Sequence, residues 1–188
     1  MINKMKKFKI SRNIGKDDEN VYSVVVWVSM NNMHLLLGSD LIVLNDPELG
    51  WSGIHRDFSS EQKALVFKIP HHGSENAHHE GIWNSLISEN VNSITTSYNK
   101  GRNSPPTKSD IERIAKLSRN LYHIEGSRKK IKRDRFVEKV IEENTYNNKG
   151  FFLVENQLGQ VRLRRKFNDP SNEWKIEITP EIVKQYAD

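Results

Sequence analysis

Two short stretches of the sequence combine metal-ligating side chains with glycines that let the backbone turn. The first is Leu37-Gly38-Ser39-Asp40, where an aspartate follows directly on an apolar run and a glycine. Glycine permits a sharp exit from a strand. A carboxylate emerging there can ligate one metal ion or bridge two, because it is hard, anionic and has two oxygens. Alternatively, Asp40 caps the next turn or helix. The second stretch is Pro70-His71-His72-Gly73-Ser74. Proline stops the preceding strand, and imidazole is the commonest nitrogen ligand for zinc-like ions. Adjacent histidines at a strand end cannot both point the same way. One of the pair faces a site, and the other turns to its surroundings or to solvent. A plain polar loop is the alternative. The two motifs lie roughly 30 residues apart, enough for a crossover connection between neighbouring parallel strands.

The elements that must position these residues read as alternating strands and helices. Tyr22 to Met30 and Met33 to Leu37 are rich in β-branched, aromatic and aliphatic residues, and Asn31-Asn32 between them predicts a hairpin. Their near-continuous apolar character predicts a sheet covered on both faces. A short helix is expected over Trp51 to Phe58, and a third strand over Ala64 to Ile69. Helical spacing of Ile82, Trp83, Leu86 and Ile87 marks His79 to Ser88. Val91 to Thr96 and Leu121 to Ile124 read as short strands. Between them Thr107 or Ser109 caps a helix running to about Ser118. Phe136 to Glu143 reads as a further helix. Gly150 to Glu155, Gln160 to Lys166 and Trp174 to Ile178 read as a closing antiparallel meander. Residues 1–20 read as an irregular lead-in, 21–125 as an α/β core and 126–188 as a basic C-terminal extension, all within a single domain.

Composition narrows the setting. The chain has 188 residues, 36% hydrophobic and 28% charged, as suits a globular domain with a wet surface. There is no cysteine, so neither disulfides nor thiolate-bound zinc can form. No run approaches the roughly 18 apolar residues of a membrane span, and no signal peptide is evident, so a cytoplasmic location is expected. The formal charge of +5 is concentrated in Arg128, Lys129, Lys130, Lys132, Arg133 and Arg135, and in Arg162, Arg164, Arg165 and Lys166. Such blocks meet phosphate backbones or acidic partners, or are simply solvated.

Leu-Leu-Gly-Ser-Asp ending at Asp40, followed by Val-Phe-Lys-Ile-Pro-His-His-Gly-Ser-Glu-Asn-Ala-His-His ending at His79, resembles the later motifs of metallo-β-lactamase-fold hydrolases. The branch most similar includes the hydrolase domain of bacterial DNA-uptake channel proteins. The resemblance covers roughly residues 20–125, and Leu36 to His79 is its specific part. It implies half of an αββα sandwich, a mixed sheet with helices on one face, and a zinc or manganese site that activates water. It makes Asp40 the carboxylate ligand and one of His71 and His72 the histidine ligand. His71, nearest the strand end, is favoured as metal-binding and catalytic together with Asp40. His78 and His79 are expected nearby or at the surface.

The family's principal metal motif, His-x-His-x-Asp-His, has no counterpart here, since only His34 and His55 precede His71. His34 is expected to pack or hydrogen-bond within its strand. Where relatives carry a histidine in Asn-Arg-x-x-His-Pro, this chain has Ser104. A catalytic zinc needs about three protein ligands and an open position. The chain alone is therefore expected to bind metal weakly or not at all, and to be inactive. Three functions follow as expectations: a split or partial hydrolase of phosphodiesters or other esters completed by a partner; a non-catalytic scaffold; and a nucleic-acid-binding module using the basic blocks. A missing half would leave one sheet face open to a protein partner or a second copy.

Overall fold

The computed structural model describes residues 19–98, 104–125, 134–145, 159–166, 173–179 and 182–187. The two strands β1 (Val26–Met30) and β2 (Met33–Leu37) form the expected antiparallel hairpin. Asn31 turns it with φ 51°, a left-handed conformation that asparagine tolerates well. Helix α1 (Gly50–Asp57) then crosses over to β3 (Ala64–Lys68), which lies parallel to β2. Two short 3-10 turns, Pro70–Gly73 and Glu75–Ala77, lead into α2 (Glu80–Leu86) and β4 (Ile87–Thr96). Helix α3 (Lys108–Ala115) and β5 (Asn120–Ile124) complete the parallel centre. The later elements are α4 (Arg135–Glu143), β6 (Val161–Arg164), β7 (Lys175–Ile178) and β8 (Val183–Ala187). Among the described residues the main sheet has six strands in the order β1-β2-β3-β4-β5-β8, with antiparallel strands at both edges. The architecture is α/β with a mixed sheet.

Register shows which side of the sheet is the core. Trp27, Leu36, Phe67, Ser93, Leu121 and Tyr186 are direct neighbours across the six strands, so they share one face. On that face Leu36, Phe67 and Leu121 meet Trp51 of α1, Ile82, Trp83 and Leu86 of α2, and Ile111 and Ile114 of α3 in one cluster. Burying a side chain of this size contributes about 1.5–3 kcal/mol. That burial offsets the entropy cost of three helices too short to stand alone. Local signals set the helix starts. Thr107 and Asp110 form a reciprocal capping box on α3, and the His79 ring accepts the Ile82 amide at the start of α2.

The opposite face carries the row Val26, Leu37, Lys68, Ile94, Tyr122 and Gln185. Its β1–β2 end is apolar and open, with Val26 42%, Met30 44% and Leu37 38% exposed. Farther along this face Val66, Asn92 and Tyr122 are buried, so the expected cover on both faces holds at its centre and, among the described residues, not at the β1–β2 end, while α1 to α3 all lie on the other side. Strand propensity reports a residue's fit to a pleated surface, not the presence of a second layer.

Other boundaries also differ. Glu19–Tyr22 forms a 3-10 turn, and pairing begins only at Val26, opposite the last residue of β2. β4 begins four residues earlier than its β-branched run, directly after α2. The antiparallel meander is divided. Among the described residues β6 and β7 pair only with each other, and the strand that closes the main sheet is β8, which carries Lys184, Gln185 and Tyr186 and no strong apolar pattern. The expected strand at Gly150 to Glu155 lies outside the described residues, as do Arg128, Lys129, Lys130, Lys132 and Arg133. Arg135 opens α4, exposed to solvent. Among the described residues no helix is long and apolar enough to cross a membrane.

Candidate metal centre

The C-terminal ends of parallel strands are where open α/β sheets place their ligands. Here β2 ends in Gly38-Ser39-Asp40 and β3 in Pro70-His71-His72-Gly73, side by side. The two loops are tied by the Gly38 amide donating to the Lys68 carbonyl at 3.0 Å and by the His71 amide donating to the Ser39 carbonyl at 3.0 Å. A Cβ on Gly38 would lie 2.9 Å from the Lys68 carbonyl oxygen, so only glycine allows the loops to approach this closely. Ser39, His71 and His72 all hold positive φ values of 50°, 42° and 55°, followed by Gly73 at 83°. Left-handed backbone at a non-glycine residue costs roughly 1–2 kcal/mol. Three such residues in two adjoining loops mark a place where geometry is held against local preference.

The left-handed turn separates the two imidazoles. The His71 ring is held by two asparagines. Its Nδ1–H donates to Asn76 Oδ1 at 3.0 Å, and its Nε2 accepts from the Asn20 amide at 3.4 Å. His72 turns towards Asp40, with Nε2 3.8 Å from Asp40 Oδ1. Its Nδ1–H donates to the Thr96 carbonyl oxygen at 2.9 Å, with Thr96 Oγ1 at 3.1 Å. That bond fixes the tautomer and leaves the Nε2 lone pair free beside the carboxylate. An imidazole donating one nitrogen to a backbone carbonyl while presenting the other is the usual arrangement of a metal-ligating histidine. The structure thus brings Asp40 and His72 together. His71, the histidine favoured for its position nearest the strand end, braces the loop with both ring nitrogens occupied.

Several neighbours carry no motif of their own. The Tyr98 ring packs against His72 with centroids 5.2 Å apart. Lys68 is the one charged residue in the apolar run Ala64 to Ile69, and this was its signal in the sequence. It donates to the Ile69 carbonyl at 3.0 Å. Burial lowers its pKa, and the nearby Asp40 carboxylate partly opposes that shift. On the helix side Arg113 donates to the Gly73 carbonyl at 2.7 Å, to His78 Nδ1 at 2.7 Å and to Asp110 Oδ1 at 2.8 Å. It clamps the loop that carries His72 to α3. Burial and the Arg113 charge lower the His78 pKa.

The remaining histidines have structural partners. His34 stacks on Trp27, donates to Gln62 at 2.6 Å and meets Ser29 Oγ at 3.0 Å, as a packing role requires. His123 meets Ser97 Oγ at 2.8 Å. His55 and His79 lie ring against ring, 5.1 Å apart. The His79 Nδ1 that accepts the Ile82 amide carries no proton, so its Nε2 does.

Imidazole nitrogen and carboxylate oxygen suit zinc and manganese alike. Donors in a tetrahedral site, each about 2.0–2.1 Å from the metal, lie roughly 3.3 Å apart, and a small side-chain rotation separates that spacing from the present one. The donor types fit. Their number does not suffice for a catalytic site, since among the described residues no three His, Cys, Asp or Glu side chains gather around one point. No protein-family model, no curated protein and no solved structure matches this chain.

Proposed function

We propose that this chain is one half of a metal-dependent hydrolase of the metallo-β-lactamase fold, acting on phosphodiester or other ester bonds once its metal site is completed. The observation that carries the reading is His72, oriented by the Thr96 carbonyl so that its free Nε2 faces Asp40. The sheet supports it. Helices cover one face, and the open apolar end of the other is what half of an αββα sandwich leaves for its missing layer. All seven histidines of the given sequence fall among the described residues, and none besides His72 joins Asp40 there, so in this reading the further ligands lie outside the described residues. In this reading Asp40 and His72 hold the ion, Thr96 sets the imidazole, and His71 and Arg113 hold the loop. A bound divalent ion would supply Lewis acidity and a water of lowered pKa.

The test is Zn²⁺ and Mn²⁺ affinity by competition dialysis on the chain and three variants. Weak binding by the wild type is expected. Asp40→Ala and His72→Ala should each weaken it about tenfold or more, whereas His71→Ala stays within a few-fold. Affinity that ignores both Asp40 and His72 would overturn the reading. The two-donor site also fits a scaffold that keeps the fold without the chemistry. A protein partner that binds Asp40→Ala and His72→Ala as well as wild type, without hydrolysis of a generic phosphodiester, would establish that alternative.

A further inference from the structure

At the opposite end of the sheet, where the parallel strands begin, a groove of about 550 Å³ opens between α2, α3 and β4. One wall is made by an irregularity in β4. Ala64 pairs with Ile87 but Val66 pairs with Asn92, so one residue of β3 between those pairs faces a longer run of β4. The excess pushes Ser88, Glu89 and Asn90 out as a bulge, pinned by the Asn90 amide donating to Ser88 Oγ at 3.2 Å. Bulges of this kind re-aim side chains. The other wall is the segment that leaves α3, Lys116 to Arg119. It is fixed to the sheet by Ser118 Oγ donating to Ser93 Oγ at 2.6 Å. Trp83 and Ile87, both buried, form the floor.

Three cations line this groove: Lys63 from the start of β3, and Lys116 and Arg119 from the wall beyond α3. All three are exposed. Among the described residues none has a carboxylate within ion-pair distance, although Arg56, Arg113, Arg162, Arg164 and Lys184 elsewhere each have one. Glu89 is the single carboxylate of the lining, which leaves the groove with an excess of positive charge. Like charges lining a concave, partly apolar surface raise its potential and favour an anion. One guanidinium fork and two ammonium groups suit a dianion with several oxygens better than a single carboxylate. The volume falls in the range of small-molecule sites, roughly 300–1,000 Å³.

We infer that this groove is a binding site for a phosphate-bearing ligand of about nucleotide size. The phosphate sits among Lys63, Lys116 and Arg119, and the apolar body lies against Leu117 and Ile87. The ligand is either a free nucleotide or a terminal nucleotide of a strand. The site lies at the other end of the sheet from Asp40 and His72, and it does not depend on the hydrolase reading.

Equilibrium dialysis of the full chain with ADP at low salt tests it, with inorganic pyrophosphate, adenosine and a short single-stranded oligonucleotide as further probes. Saturable ADP binding is expected. Lys116→Gln with Arg119→Gln should weaken it about tenfold or more, added salt should weaken it steeply, and adenosine should bind far less well. Lys139→Gln on α4 and Asp40→Ala should leave ADP affinity within about twofold, so failure of the metal site and failure of this site remain distinct. Competition of ADP by the oligonucleotide at lower concentration assigns the phosphate to a strand. Competition by pyrophosphate but not by the oligonucleotide assigns it to a free nucleotide. Absence of saturable ADP binding, affinity unchanged in the double variant, or adenosine binding as tightly as ADP would each overturn the inference. Because all three cations are exposed, the double variant should melt at the wild-type temperature.

Discussion

Removing the guanidinium of Arg113 should destabilise the protein and loosen the loop that carries His72. Arg113 gives its three hydrogen bonds to partners that differ in exposure. Asp110 is 6% exposed, Gly73 is buried, and His78 is half-buried. The Asp110 carboxylate also accepts the Thr107 amide at 2.9 Å and the Thr107 hydroxyl at 2.7 Å, so it would not be left bare. Breaking a buried ion pair by deleting one partner costs about 3–5 kcal/mol. Arg113 retains 24% side-chain exposure and Thr107 keeps two bonds to Asp110, so about 3 kcal/mol is the better expectation for Arg113→Met. For a chain of this size that lowers Tm by roughly 6–12 °C. Arg113→Lys can replace one of the three bonds and should recover only part of the loss. The pair Arg113→Met and Asp110→Asn should cost less together than the sum of the two alone. Thermal and urea unfolding read the stability. Hydrogen exchange should show faster exchange of the Ser74 amide, which donates to the His71 carbonyl, with β4 unchanged. A melting point within a degree of wild type, or strict additivity with Asp110→Asn, would refute the clamp.

Three further outcomes follow from the structure. Tyr122 is fully buried and, among the described residues, its hydroxyl has no partner, so Tyr122→Phe should leave stability unchanged or raise it by about 1 kcal/mol. A loss of that size in urea unfolding would mean that the hydroxyl is bonded. Gly73→Ala should cost about 2 kcal/mol or more, because φ is 83° and the new Cβ would lie 2.9 Å from Ile114 Cδ1; a midpoint unchanged in chemical denaturation would contradict this geometry. Burial lowers the pKa of His78, His79 and His123 below the ordinary 6.5, so the fold favours their neutral forms. Their contribution is present above that pH and is lost as pH falls through the folded values, because the unfolded chain takes up protons first. Stability measured between pH 8 and pH 5 should therefore decline on the acid side of about 6.5, and a flat profile there would oppose it.

Much of the scaffold is legible in the residues. The β1–β2 hairpin, β3 stopped by Pro70, the apolar stripes of α2 and α3 and the Thr107 cap are all local signals, and the structure places elements at each. Local signals fail where an element's existence depends on a distant partner. β8 is a strand because β5 offers an unpaired edge, and nothing in Val183 to Ala187 says so beforehand. β6 and β7 alternate well but pair apart from the main sheet. Strand composition reports only that a segment fits a pleated surface, so it could not show that helices cover one face and leave the other partly open.

The candidate site divides in the same way. Sequence alone determined that Asp40 and the His71-His72 pair sit at strand ends beside glycines, and that the donor types suit a metal. Which histidine faces Asp40 was decided by tertiary structure. Left-handed backbone at His71 and His72 swings one ring to Asn76 and the other to Thr96, and Thr96 lies on a strand whose neighbourhood to β3 only the sheet establishes. The Arg113 clamp and the groove of Lys63, Lys116 and Arg119 have the same origin. Arg113 and Gly73, and Lys63 and Lys116, lie tens of residues apart and meet only after the helices pack on the sheet, because side-chain hydrogen bonds and electrostatic fields act through space and not along the chain.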